Sequence, residues 1–248
     1  MSELVVLLHG FTNTGRSWDP VLAALPDRLR PVVLDIRGHG SASGARPVTL
    51  EAVISDIDRA APDPFTLVGY SMGGRIALHA AFELAGRVRR LVLIGASPGL
   101  EDAAARSQRR AADDRLAGQA ERESIGEFAE RWARTPVLAG QPEGVRAWVD
   151  ADRRRNDTAG LAAALRGLGT GSLPSLWPRL GRLGIPVELI VGERDSKFRD
   201  LAERMAQAIP RARTTIVSQA GHAVHLEAPE RVAALIADDE AAATGRIP

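Results

Sequence analysis

The chain has no cysteine, which excludes disulfide bonds, thiolate metal sites and a cysteine nucleophile. It also has no excess of one charge, because 32 basic and 31 acidic side chains give a net charge of +1. We therefore expect neither a nucleic-acid partner nor an anionic membrane surface as a partner. No apolar run in the sequence approaches the ~20 residues that a membrane-spanning helix needs, so we expect no such segment.

Lysine is almost absent, since Lys197 is the single lysine among the 32 basic residues and the others are arginine. With arginine this common, one arginine by itself says little about function, whereas Lys197 stands out. The first strand pattern begins by Leu4, which leaves no room for a signal peptide ahead of it. We therefore predict a cytoplasmic protein.

A chain of 248 residues with 45% hydrophobic residues fits one α/β domain with an insertion. Short strand-like runs lie at residues 4–8, 31–36, 65–68, 91–94, 187–191 and 214–217. Helical patterns lie at residues 18–25, 50–60, 72–85, 200–208 and 229–237. Most of the strand runs are continuously apolar, as in strands that are covered on both faces. The alternation predicts the α/β class with a doubly wound, mostly parallel sheet.

The strand pattern stops between Pro98 and Pro186. This stretch is rich in Ala, Arg, Asp and Glu, and its apolar residues have helical spacing. A structureless loop of that length is unexpected inside a compact domain. We predict that residues 98–186 form a helical cap over the carboxyl ends of the strands, and that residues 1–97 and 187–248 form the core.

The motif Gly69-x-Ser71-x-Gly73 lies between an apolar strand pattern and an alanine-rich helical pattern. Although the bare motif often occurs by chance, this context is typical of a nucleophile elbow, a sharp turn that exposes a serine hydroxyl. The turn needs glycines two residues away because a Cβ there would clash. We predict that Ser71 is catalytic and that the Met72 N–H, at a helix N-terminus, faces a developing oxyanion.

A serine hydroxyl needs a histidine to take its proton, and the chain has five histidines. His222 follows the last predicted strand, at the carboxyl edge where catalysis gathers in open α/β sheets, so we predict that it is the base. His225 begins the next helix and is expected to cap or pack, and His79 lies mid-helix among alanines. His9 and His39 lie in loops after the first two strands.

The orienting acid is expected between the serine and the histidine in chain order. Asp195 follows the predicted strand at residues 187–191, on the required edge, and we predict that it is this acid. A structural alternative is that Asp195 stabilises its loop, and Glu193 or Asp200 could take its place. Asp35 also ends a strand, but it precedes the serine and breaks the order.

The second oxyanion donor is expected in the turn after the first strand. His9-Gly10-Phe11 fits this position, because Gly10 permits an unusual backbone conformation. We predict that the Phe11 N–H pairs with the Met72 N–H.

Five further features carry a resemblance, and the first and the fourth of them are much more specific than the serine motif. They are Gly69-Tyr-Ser-Met-Gly-Gly-Arg75, Ala96-Ser-Pro-Gly-Leu100, Trp132 with Pro136, Gly192-Glu-Arg-Asp-Ser-Lys-Phe198 and Gly221-His-Ala-Val-His-Leu-Glu227. Through them the whole chain resembles α/β hydrolases and, more narrowly, the SHCHC synthases of menaquinone biosynthesis (MenH type). Those enzymes eliminate pyruvate from a succinyl-enolpyruvyl-cyclohexene dicarboxylate and form 2-succinyl-6-hydroxy-2,4-cyclohexadiene-1-carboxylate.

The resemblance implies that His222 deprotonates Ser71 and that the alkoxide removes a ring proton, without a metal or organic cofactor. It also implies a set of substrate-binding residues, namely Phe11, Tyr70, Met72, Arg75, Arg109, Trp132 and Arg153. The arginines suit a substrate with several carboxylates, because guanidinium groups bind carboxylates bidentately. Residues 153–155 are all arginine, which leaves open which of them faces the pocket.

We therefore predict a lyase that acts on a small-molecule polyanionic substrate, as a monomer or weak homo-oligomer. The alternative is a serine hydrolase of carboxylic esters or of carbon–carbon bonds in vinylogous diketones, since fold and triad are the same. A third interpretation is a ligand receptor without catalytic activity.

Overall fold

The computed structural model describes residues 3–135 and 140–238, whose strands form one six-stranded sheet. The strands are β1 (Glu3–Leu8), β2 (Leu29–Leu34), β3 (Phe65–Tyr70), β4 (Val88–Ile94), β5 (Val187–Gly192) and β6 (Ala212–Val217). They lie in the order β2-β1-β3-β4-β5-β6, and every neighbouring pair is parallel. The predicted doubly wound parallel sheet is confirmed.

Both faces of the sheet are covered, which explains why most of the strand sequences are continuously apolar. Along β1, Leu4, Val6 and Leu8 join one apolar core, whereas Val5 and Leu7 join the other. Successive residues of a strand point to opposite faces, so covering both faces leaves little place for polar side chains in the strand.

Helices connect the strands and cover the sheet. They are α1 (Asp19–Leu22), α2 (Leu50–Ala60), α3 (Met72–Glu83), α4 (Ala103–Ala120), α5 (Ile125–Trp132), α6 (Glu143–Arg153), α7 (Thr158–Leu168), α8 (Ser196–Ala208), α9 (Val224–Glu227) and α10 (Pro229–Ala237). Among the described residues, no helix has the length and apolar character needed to cross a membrane. Helix α8 begins four residues before the predicted range, and Phe198 in its first turn packs against the ring of His222.

The stretch between β4 and β5 is helical, as predicted, and its described residues contain no strand. Helices α4, α5 and α7 share a small apolar core of their own. The main members of this core are Ala117, Ala120, Phe128, Leu161, Ala162 and Leu165. The boundaries of core and cap at residues 98 and 186 stay a prediction, and Pro136 lies outside the described residues.

The sheet reverses its winding direction beside β1, because β2 lies on one side of that strand and β3 on the other. Ligands of open α/β sheets bind outside the carboxyl ends of the strands at such a point. Strand β1 ends just before His9 and β3 ends just before Ser71. The loops after β5 and β6 bring further polar residues to the same edge.

Candidate active site

Ser71 sits on a strained turn between β3 and α3. Its backbone has φ of +50° and ψ of −108°, a left-handed conformation that is uncommon for a residue with a Cβ. A Cβ on Gly69 would lie 2.5 Å from the Gly73 carbonyl oxygen, and one on Gly73 would lie 2.4 Å from the His9 carbonyl oxygen. The two flanking glycines therefore let the chain turn sharply enough to present the serine hydroxyl.

Three side chains meet at this edge of the sheet. The Nε2 atom of His222 lies 3.1 Å from Ser71 Oγ, and its Nδ1 atom lies 2.6 Å from Asp195 Oδ2. In this arrangement the carboxylate holds the imidazole so that Nε2 can accept the hydroxyl proton. Gly95 makes room for the ring, since a Cβ there would lie 2.9 Å from His222 Cε1.

The other acidic residues considered from the sequence have different surroundings. Glu193 accepts a hydrogen bond from the Gln219 N–H, and Asp200 is exposed on α8. Asp35 accepts hydrogen bonds from the Gly15 and Ser41 N–H groups. Burial alone would raise the pKa of Asp35, but these hydrogen bonds and that of the Ser41 hydroxyl hold it below its ordinary value. Asp195 is the acid whose carboxylate contacts His222.

Phe11 and Met72, two residues that line the same cavity as Ser71, have backbone N–H groups of interest. Met72 is the first residue of α3, and Phe11 follows the turn at Gly10. Neither N–H donates a hydrogen bond to another of the described residues. Gly10 is required by close approach, because a Cβ there would lie 2.6 Å from the Tyr70 ring. Free donors beside a serine hydroxyl can stabilise an oxyanion.

Ser71 opens into a cavity of about 770 Å³ between the sheet edge and the helical insertion. Eight of the ten residues predicted for the site line it, namely Phe11, Ser71, Met72, Arg75, Arg109, Trp132, Asp195 and His222. Residues that precede the insertion in the chain, residues within it and residues that follow it therefore line one cavity together with Ser71. A volume of this size is typical of small-molecule sites.

Arg75 and Arg109 form a cationic wall of this cavity. Arg75 is 7% exposed, and burial, together with the charge of Arg109, lowers its pKa to about 10. Its Nη2 donates to the Leu168 carbonyl oxygen at 3.1 Å, while its Nε has no partner among the described residues. Arg109 is half-exposed and donates from Nε to Asp113 Oδ1 at 2.7 Å.

Tyr70 and Arg153, which were also predicted for the site, are not among the residues that line the cavity. The Tyr70 ring is buried against His225, with the ring centroids 4.1 Å apart. Arg153 is buried, and its Nε donates to Thr12 Oγ1 at 3.3 Å. Of the three consecutive arginines, it is the one whose side chain turns inward, because Arg154 and Arg155 are exposed. Their substrate-binding roles stay a prediction.

Comparison with known proteins places this site in a family. The model of the alpha/beta hydrolase family matches residues 5–235. A Salmonella paratyphi C protein named 2-succinyl-6-hydroxy-2,4-cyclohexadiene-1-carboxylate synthase is 36% identical over 92% of this chain and 90% of its own length. A Bacillus subtilis protein provisionally given the same name is 38% identical over 96% of this chain and 90% of its own.

The chain belongs to the SHCHC synthase family of α/β hydrolases. A solved structure points the same way: MenH from S. aureus has a TM-score of 0.89 and 30% sequence identity, covering 95% of this chain and 92% of that one. The resemblance predicted from the motifs is thus confirmed. The protein is a lyase-type enzyme on an α/β-hydrolase scaffold.

The remaining histidines of this SHCHC synthase family member are buried. His9 accepts from the Ile36 N–H at Nε2, and burial lowers its pKa. Burial also lowers the pKa of His79 to about 4. Both nitrogens of His39 and of His225 lack a partner among the described residues, and burial lowers each pKa to about 3. These four imidazoles are therefore neutral at pH 7, and none contacts Ser71.

The neutral His39 and His225 are expected to make the fold sensitive to acid. In the unfolded chain each binds a proton near pH 6.5, whereas in the folded chain it does so only near pH 3. Their stabilising effect is complete above pH 6.5 and is lost as the pH falls from 6.5 toward 3. Each contributes up to about 2 kcal/mol to the loss of unfolding free energy between pH 7 and pH 5.

Urea unfolding at both pH values measures this loss. His39→Leu and His225→Leu should each reduce the difference between the two pH values. Val92→Ala, a buried change that removes no titratable group, should leave the difference as it is in the wild type. If both histidine variants lose as much stability between pH 7 and pH 5 as the wild type, these imidazoles are not held neutral.

Two charged residues that line the cavity were not among the predicted site residues. Arg194 and Lys197 line the cavity on the side of the loop after β5 and the start of α8. Arg194 donates to Glu227 Oε2 at 2.9 Å, and Lys197 Nζ lies 5.6 Å from the centre of the Phe198 ring. The sequence carried a signal for Lys197, since it is the single lysine of the chain. Arg194 directly precedes Asp195 in the motif Gly192–Phe198, and that position is the signal that could have found it.

Proposed function

We propose that this protein eliminates pyruvate from 2-succinyl-5-enolpyruvyl-6-hydroxy-3-cyclohexene-1-carboxylate to give 2-succinyl-6-hydroxy-2,4-cyclohexadiene-1-carboxylate, in menaquinone biosynthesis. The names of its relatives support this reaction. The cavity supports it by its charge: Arg75, Arg109, Arg194 and Lys197 line it. The carboxylate that lines it, Asp195, is hydrogen-bonded to His222.

The buried guanidinium of Arg75 is the observation that carries the proposal. A buried charge is costly unless it is paired, yet Arg75 makes one hydrogen bond, to a backbone carbonyl, within the described part of the chain. Asp113, the nearby carboxylate, is hydrogen-bonded to Arg109 instead. A substrate carboxylate that enters the cavity supplies the missing partner, and its affinity gains from the low local dielectric.

In the proposed reaction Ser71 and His222 act as a base. His222 Nε2 takes the proton of Ser71 Oγ, and the alkoxide removes a proton from a ring carbon. The electron pair of that C–H bond forms one ring double bond, the existing ring double bond moves one position along the ring, and the C–O bond to the side chain breaks. The enolpyruvyl group leaves and takes up on carbon the proton that His222 holds, which gives pyruvate and restores the neutral imidazole. Atoms and electrons balance without a metal or an organic cofactor.

The other groups have supporting roles. Asp195 keeps His222 in the tautomer that accepts a proton at Nε2. The N–H groups of Phe11 and Met72 stabilise the negative charge that develops as the proton leaves. The cationic wall holds the carboxylates so that the ring carbon faces Ser71 Oγ, which converts binding into orientation.

A direct assay tests the proposal. The purified protein is mixed with the enolpyruvyl substrate, and released pyruvate is measured through the oxidation of NADH by lactate dehydrogenase. We expect steady pyruvate release by the wild type and only background release by Ser71→Ala. Absence of pyruvate release by a folded wild type would contradict the proposal.

A serine hydrolase is the alternative candidate function, because the contacts of Ser71 suit nucleophilic attack as well as proton abstraction. Small p-nitrophenyl esters discriminate between the two. Prompt turnover of these esters together with no pyruvate release would favour the hydrolase. A receptor function would be favoured instead if Ser71→Ala kept the biological function of the protein.

A further inference from the structure

The loop that carries the Phe11 N–H is held by residues from the helical insertion. We call residues 10–14 the oxyanion loop. Three residues of the segment that ends α6 and follows it, more than 130 residues away in the chain, make four buried hydrogen bonds to this loop. The core alone therefore does not determine the shape of this loop.

Asn156 joins three backbone segments. Its Nδ2 donates to the Thr12 carbonyl oxygen at 2.9 Å and to the Arg153 carbonyl oxygen at 3.0 Å. Its Oδ1 accepts from the Gly40 N–H at 3.0 Å. The side chain is 6% exposed, so water does not compete for these bonds. Asn156 thus ties the oxyanion loop to the insertion and to the loop after β2.

Asp152 holds the other end of the oxyanion loop. Its carboxylate accepts from the Thr14 N–H at 2.8 Å and from the Thr14 hydroxyl at 2.5 Å. The Thr14 hydroxyl oxygen in turn accepts from the Arg16 N–H and caps the short 3-10 helix that follows. Both side chains are buried, and hydrogen bonds to a carboxylate are the stronger kind.

Between these two anchors the chain adopts a disfavoured conformation. Thr12 has φ of +70°, in the left-handed region that a β-branched residue rarely enters. Such a conformation persists only where the surroundings hold it. Its carbonyl is held by Asn156 and its hydroxyl by Arg153. Release of these contacts would let Thr12 relax and turn the neighbouring Phe11 peptide.

We propose that Asn156 and Asp152 are positioning residues that keep the Phe11 N–H aimed at the oxyanion. The helical insertion then has a second task besides lining the cavity, because its α6 end sets the geometry of a donor on the core. The inference rests on the role proposed for the Phe11 N–H, and it holds for any reaction in which Ser71 develops an adjacent oxyanion.

A fluorophosphonate probe tests this without the natural substrate. Ser71 Oγ attacks phosphorus, fluoride leaves, the proton passes to His222, and the phosphoryl oxygen requires the two N–H donors. Mass spectrometry measures the rate at which Ser71 is labelled. Removal of a single oxyanion donor costs about 10²- to 10³-fold in rate. We therefore expect a misaimed Phe11 N–H in Asn156→Ala to slow labelling about ten- to a hundredfold.

Two variants of Thr14 distinguish a role in positioning the Phe11 N–H from a general loss of stability. Thr14→Val removes the hydroxyl that binds Asp152 and should slow labelling, whereas Thr14→Ser keeps the hydroxyl and should recover most of the rate. Thr66→Val is the control, because it removes the hydrogen bond that the buried Thr66 hydroxyl donates to Glu3 at the far end of β3. It should lower the melting temperature without slowing the labelling.

Labelling rates that are the same in Asn156→Ala, Thr14→Val and Thr66→Val would overturn the inference, and so would a wild type that does not label. Pyruvate release is measured on the same wild-type sample. Labelling without pyruvate release would contradict the proposed reaction and would leave the positioning result standing.

Discussion

Ser71→Ala, His222→Ala and Asp195→Asn are each expected to reduce kcat for pyruvate release by about 10²- to 10⁴-fold, the usual contribution of a positioned general base. The reason is the continuous contact from Asp195 through His222 to Ser71, in which each group depends on the next. The double variant Ser71→Ala/His222→Ala should be little worse than either single variant, because residues that act as one unit lose activity non-additively.

Two matched variants make this result specific. Asp200→Asn changes an exposed carboxylate on α8, a few residues after Asp195 in the chain, and should leave kcat unchanged. Circular dichroism should show that all these variants fold. The base assignment would be wrong if His222→Ala kept near-full activity while His225→Ala lost it.

Arg75→Ala and Arg109→Ala are expected to impair pyruvate elimination selectively. A hydrogen bond to a charged group is worth about 1.5–3 kcal/mol, which corresponds to a loss of about ten- to a hundredfold in kcat/KM. Arg75→Ala should have the larger effect, because Arg75 is buried without a carboxylate hydrogen-bond partner, whereas Arg109 is half-exposed and paired with Asp113. Lysine at either position should restore only part of the loss, since an ammonium lacks the guanidinium fork.

The contrast needs two substrates on the same variants. Any side activity on neutral p-nitrophenyl esters should survive both alanine substitutions. Arg59→Ala, an exposed arginine on α2 that pairs with Asp56, serves as the control and should leave both activities unchanged. Equal losses on the neutral and the polyanionic substrate would mean that Arg75 and Arg109 are structural, and would favour the hydrolase.

Ser71, Asp195 and His222 could be predicted as site residues because the position of each follows from a local sequence pattern. An apolar strand that ends in Gly69-x-Ser71-x-Gly73 has few ways to turn into a helix, and the glycines are needed in the turn itself. Asp195 and His222 each follow a predicted strand of a parallel sheet, so they had to emerge at the same edge. Their contact with Ser71 is the outcome of that topology.

For the arginines, the local sequence pattern predicts the position of some side chains but not of others. Arg75 could be placed, since it lies one turn beyond Ser71 on α3 and both line the cavity. Arg153 was predicted to line the pocket, yet it is not among the residues that line the cavity, and its Nε donates to Thr12 Oγ1. The direction of a side chain in the insertion depends on how α6 packs over the core. No spacing within the helix contains that information.

The amino-acid sequence by itself determined the α/β class, the helical insertion, the elbow and the order of its partners, because alternating patterns and glycine placement act over a few residues. Only the tertiary structure decided which charges share the cavity. It placed Arg194 and Lys197 in the same cavity as Ser71, and it joined Asn156 to Thr12 across a separation of 144 residues. Contacts of that separation arise from the packing of the insertion on the sheet, which depends on the shapes of both surfaces at once.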